Sequence, residues 1–130
     1  KSGYLLDYLS TMFQDLRDPK QGDAWCLAQT WQSLQAFTIE ETYELMDAIE
    51  RNHSDDIKDE LADMLLQILF YAQLANEQGD FNLGDILQHL ISKIKARTPK
   101  LYSHHPLHDP DHAETRPWKH QKMQKAQTQG

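Results

Sequence analysis

Two pairs of acids stand out by type and spacing. Glu41 and Glu44 are three residues apart, and so are Glu60 and Asp63, which on helices puts each pair on one face. If the two helices pack antiparallel across the turn at residues 52–54, the pairs can face each other. Four carboxylates converging on one spot repel. The arrangement persists only with cations between them or with some of the acids protonated. Hard oxygen ligands suit Mg2+ or Mn2+ rather than Zn2+. Magnesium bound in this way keeps waters, and its remaining positions can take phosphate oxygens. It then orients the phosphates, neutralises developing charge and acidifies an attacking water, which is what splitting a phosphoanhydride requires. The competing reading is that the acids form solvated helix faces. Two features favour the converging arrangement. Glu60 and Asp63 sit where the sequence turns strongly apolar, an expensive place for unpaired acids, and the two pairs lie on consecutive helices joined by a short turn.

Other reactive side chains carry weaker signals. Cys26 is the one cysteine, so no internal disulfide forms, which fits a reducing, cytoplasmic setting. No motif surrounds it, and it reads as a small buried or half-buried residue. His104, His105, His108 and His112 fall in a run interrupted by Pro106, Pro110 and Pro117. Closely spaced imidazoles can bind a transition metal, but the helical spacing of a preformed site is missing, and a solvated loop is the simpler reading. Lys93 and Arg97 are four apart, on one face of a helix. They can clamp a phosphate tail beside a metal site, or serve as an ordinary charged last turn.

The elements that must position these residues are helical. Apolar residues at Leu5, Leu6, Leu9, Met12, Phe13 and Leu16 predict a helix over 4–17, stopped by Asp18-Pro19. Residues 18–25 read as a loop, followed by a short helical stretch over 27–34. A second helix is predicted over 38–51, with Thr38 as N-cap and Glu41 completing a capping box. A third follows over 55–77, capped by Ser54, with Asp55 and Asp56 in its first turn and Gly79 beyond its end. A fourth fits 82–97, closed by Pro99. No segment shows the alternation of a strand, so the expected fold is an all-α, four-helix bundle. Between Leu61 and Ala75 apolar residues run all the way round the third helix, and such a helix must be covered on every side. A homodimer that buries much of it is the expectation; a snug monomeric bundle is the alternative.

The chain has 130 residues and a formal charge of −7. That length suits one domain with a real core. The acidic balance argues against nucleic-acid binding but not against a phosphate substrate, because bound divalent metal reverses the local sign. No stretch is long and apolar enough to span a bilayer, and the opening Lys1-Ser2-Gly3-Tyr4 lacks a signal-peptide core. The absence of an initiator Met and the Lys- and Gln-rich ending are compatible with a piece of a longer chain. The expected organisation is a helical domain over 1–103, a His- and Pro-rich connection over 104–117, and a helical arm and tail over 118–130.

Glu40-Glu41-x-x-Glu44 followed by Glu60-x-x-Asp63 resembles the EExxE…ExxD pattern of MazG-type pyrophosphohydrolases. Leu16-Arg17-Asp18-Pro19, Trp25, Gln29-Thr30 and Ser33-Leu34 look like that family's opening segment, and Phe70-Tyr71-Ala72-Gln73 like part of its central helices. The likeness extends over nearly the whole chain and is nearest to the N-terminal domain of two-domain bacterial MazG proteins. It implies Mg2+-dependent hydrolysis of nucleoside triphosphates to monophosphate and pyrophosphate, as house-cleaning of the nucleotide pool. It implies Glu41, Glu44, Glu60 and Asp63 as metal ligands, with Glu40 as a neighbouring acid or base. Lys93 and Arg97 stand where the family carries phosphate-contacting residues, and Trp118 and Lys122 resemble a later pair that helps hold the nucleotide. Two segments depart from the pattern. Asp23-Ala24-Trp25-Cys26 replaces Cys-Pro-Trp-Asp, losing the acid after Trp, and Thr98-Pro99-Lys100-Leu101-Tyr102 replaces His-Pro-His-Val-Phe. Base selectivity and turnover are the properties these departures touch, so a catalytically weak regulatory or dimerisation half of a two-domain protein is the alternative function.

Overall fold

The computed structural model describes residues 2–102. Six helices follow in order: α1 (Ser2–Leu16), α2 (Ala24–Ala28), α3 (Trp31–Arg51), α4 (Ser54–Glu77), α5 (Leu83–Arg97) and α6 (Pro99–Tyr102). Four of them are long, as the apolar spacing predicts, and no strand occurs among the described residues. None of these helices is long and apolar enough to cross a membrane. The chain forms two compact units, Lys1–Leu83 and the part from Gly84 onward.

In the first unit α3 and α1 both pack against α4. Phe13, Cys26, Leu34, Leu69, Phe70 and Leu74 form the buried core, with Leu6, Leu9, Leu16 and Trp31 around it. Phe13 and Phe70 meet edge to face at 5.6 Å, a favourable ring geometry. Cys26 is buried in this core, as its lack of any motif suggests.

The start of α3 differs from the sequence expectation. One continuous helix covers Trp31–Arg51, and the short helix ahead of it is Ala24–Ala28, capped by Asp23, rather than a stretch over 27–34. The capping box is Thr30 with Ser33: the Thr30 hydroxyl accepts from Ser33 N at 3.1 Å and the Ser33 hydroxyl accepts from Thr30 N at 2.8 Å. Thr38 with Glu41 has the same spacing but lies mid-helix, because nothing between Trp31 and Thr38 breaks the turn. The α3–α4 connection is short, as expected. Asn52 ends α3 in the left-handed region at φ 54°, a conformation Asn tolerates. His53, not Ser54, caps α4, its Nδ1 accepting from Asp56 N at 3.4 Å.

Arg17 ties the opening segment to the far end of α4. Its guanidinium donates to both carboxylate oxygens of Glu77, at 2.6 and 3.0 Å, and to Cys26 O at 2.7 Å. The hydrogen bond from Arg17 holds the Glu77 carboxyl below its ordinary range. This support is present above the unfolded carboxylate pKa and is lost as pH falls through the lower folded value. Gly22 closes the same loop, where a Cβ would run into the carbonyl oxygens of Leu16 and Asp18. Arg17→Ala is expected to cost about 2 kcal/mol, since it leaves the partly buried Glu77 carboxylate with Gln73 Nε2 as its remaining donor and takes the shorter of two hydrogen bonds from Cys26 O, which keeps Gln29 N. Urea unfolding at neutral pH checks this, and the deficit should shrink in acid.

The apolar sides of the central helices are not all covered. Leu61, Leu65, Leu66 and Ile68 on α4, and Ile39, Met46 and Ile49 on α3, remain exposed within the chain.

Candidate metal centre

The acids meet because α3 and α4 run antiparallel across a turn of only two residues, Asn52 and His53. Each helix presents one acid pair at i, i+3 to the seam. Glu41, Glu44, Glu60 and Asp63 each offer one carboxylate oxygen, and these atoms all lie within 4.8 Å of one another. Glu41 Oε2 and Glu60 Oε1 are buried and have no hydrogen-bond partner. Buried polar atoms are rarely left so, and a carboxylate oxygen accepts only from a donor or a cation.

The electrostatics agree. Burial, then repulsion from Asp63, Glu44 and Glu60, pushes the Glu41 carboxyl up to about 7. Burial, then Glu44 and Asp63, raises Glu60 as well. An acid set under this strain either holds protons or holds a cation. Four oxygen donors suit a hard divalent ion, so these residues fit a metal.

Glu40 is not one of the four. It is exposed on α3 and lines an open groove beside the cluster with Tyr43, Glu44, Asp47, Arg51 and Glu60. Arg51 is held there by ion pairs to Asp47 at 3.0 Å and to Asp56 at 2.7 Å. Lys93 and Arg97 lie one turn apart on α5, in the second unit. Trp118, Lys122, the histidine run at 104–112 and the expected boundaries at 103 and 117 fall outside the described residues.

Sequence reasoning passed over the groove's Tyr43 and Arg51, and a polar trio next to the acids. Thr38 Oγ1 lies 2.8 Å from Gln67 Oε1 and 2.6 Å from the Tyr71 hydroxyl. Gln67, an amide flanked on both sides by apolar residues, was the available signal.

The class these features define is an all-α protein whose two central helices could hold a metal ion between acid pairs. Comparison with known proteins narrows it. The family model of the MazG nucleotide pyrophosphohydrolase domain matches residues 29–102, spanning both acid pairs and α5. A nucleoside triphosphate pyrophosphohydrolase of Escherichia coli K12 is 43% identical over 98 residues, which is 75% of this chain and 37% of that protein. The nucleoside triphosphate pyrophosphohydrolase/pyrophosphatase MazG of Thermotoga maritima is 39% identical over 106 residues, 82% of this chain and 41% of that protein. The chain therefore belongs to the MazG nucleotide pyrophosphohydrolase family. It spans about two fifths of the length of these relatives.

Proposed function

We propose that the chain hydrolyses nucleoside triphosphates to monophosphate and pyrophosphate with Mg2+, as a house-cleaning activity in the cytoplasm. The observation that carries this reading is the convergence of four acids with two buried, unpartnered carboxylate oxygens. Family membership supplies the substrate class.

In this reading Glu41, Glu44, Glu60 and Asp63 are the metal ligands. Magnesium, when bound, would neutralise phosphate oxygens and lower the pKa of an attacking water. Water adds to one phosphorus of the α–β anhydride, the bridging P–O bond breaks, and monophosphate and pyrophosphate separate. The water's proton needs an acceptor, and Glu40 and Glu41 are the candidates. Glu40 suits the part because it opens onto the groove and remains outside the cluster. Lys93 and Arg97 would grip the phosphates by charge-assisted hydrogen bonds, and Trp118 and Lys122 would hold the nucleoside end. The division of the chain near residues 103 and 117 goes with this scheme.

The exposed apolar residues of α3 and α4 support a homodimer, since leaving them in water forfeits the hydrophobic stabilisation that burial would supply. Light scattering should give twice the 15.2 kDa chain mass; a monomer at micromolar concentration would reject this.

The activity is tested by incubating the chain with each common nucleoside triphosphate and Mg2+ and separating the products. Monophosphate and pyrophosphate in equal amounts support the proposal. No turnover by folded, metal-binding protein would leave the regulatory half as the reading.

A further inference from the structure

Thr38 stands one turn from Glu41 on α3, and Gln67 one turn from Asp63 on α4, so the polar trio continues the two acid-bearing faces. Gln67 is only 5% exposed. An amide in such a place costs free energy unless hydrogen-bonded, and a leucine would pack there without that demand. Its presence calls for a task that packing alone does not perform.

The hydrogen-bond pattern suggests the task. Thr38 Oγ1 has a single proton to give and three neighbours: Leu34 O at 3.0 Å, Gln67 Oε1 at 2.8 Å and the Tyr71 hydroxyl at 2.6 Å. Leu34 O already faces a helical N–H. With the amide oriented as here, donation to Gln67 avoids setting two lone pairs against each other, and the Tyr71 hydroxyl then donates to Thr38. Two residues of α4 thus close on one residue of α3. Trp31 stacks on Tyr71 at 5.3 Å and 21°, fixing the direction of its hydroxyl.

Apolar seams tolerate sliding, whereas hydrogen bonds lose strength over a few tenths of an ångström. The acid cluster needs that discipline, because its repulsion pushes α3 and α4 apart wherever the acids are charged with no cation between them. We propose that Thr38, Gln67 and Tyr71 are positioning residues that lock α3 and α4 in the register at which Glu41, Glu44, Glu60 and Asp63 converge, keeping the cluster preformed for a divalent cation. This rests on reading the cluster as a metal centre.

The test is calorimetric titration of the full chain with Mn2+, with melting temperatures taken in chelator. Thr38→Val and Tyr71→Phe remove the linking hydroxyls with little change of shape. Both should weaken Mn2+ binding about 10–100-fold, the range seen when groups supporting metal ligands are lost. Thr38→Ser should restore wild-type affinity, and Tyr71→Phe should melt near the wild type without metal. Should Thr38→Val fail to fold, Tyr71→Phe decides. Wild-type Mn2+ affinity in both hydroxyl-deleted variants, with binding lost in Glu41→Gln, would overturn the lock and leave the metal centre standing. Unchanged binding in Glu41→Gln would remove the metal centre and the lock with it. Parallel loss of affinity and melting temperature, unrescued by serine, would reduce the trio to ordinary packing and also overturn the proposal.

Discussion

Glu41→Gln should lower triphosphate turnover by at least about 100-fold, the order reached when one preorganised electrostatic group is removed from a reaction centre. The same change should raise the melting temperature of the metal-free protein in mildly alkaline buffer. Both effects have one origin. Glu41 is the acid that burial and three neighbouring carboxylates push furthest, up to about 7. Above that value it is charged in the folded chain without compensation, and glutamine removes the charge while keeping the shape. Between the unfolded value near 4.5 and about 7 the folded chain holds a proton that the unfolded chain has released. Metal-free stability from this group therefore falls as pH rises through that window, and the glutamine variant should lack the decline. Melting curves in chelator at either end of the window, beside the product assay, check both. A variant that turns over like the wild type, or that melts lower in alkaline buffer, would sink the assignment.

The second large effect is the pH dependence of metal binding. A carboxyl that titrates near 7 must shed its proton before it can ligate a cation. Apparent Mn2+ affinity should rise about tenfold per pH unit below that point and level off above it, one proton leaving for each ion bound. Titration in two buffers of different ionisation heat counts the released protons directly. Affinity that is flat across the window, with no buffer dependence, would mean that Glu41 is not a ligand.

The acid pairs were legible in the sequence because both depend on local geometry alone: i, i+3 spacing on helices whose turn, at Asn52 and His53, also shows as a break in the pattern. The ends of α1 and α4 were legible for the same reason, through Asp18-Pro19 and Gly79. The start of α3 was not. Thr38 with Glu41 matches a capping box, while the true box uses Ser33 in the place usually taken by Glu or Gln. The Thr38–Gln67–Tyr71 contacts were out of reach for another reason. They span about thirty residues, and naming the partners requires the side-to-side register of two helices. The exposed apolar flank of α4 was foreseen as a surface needing cover, since a helix apolar on every side cannot be satisfied by α1 and α3 alone.

The short link at Asn52 and His53 also bears on how the chain reaches its folded state. The acid cluster is assembled from one contiguous helical hairpin, Trp31–Glu77, so no distant segment must be recruited to complete it. Closing so small a loop carries little chain-entropy cost, and contacts near in sequence form early. The hairpin is therefore expected to bring the four carboxylates together before α1 packs against α4, and a divalent ion met at that stage would act as a nucleus for the rest of this unit.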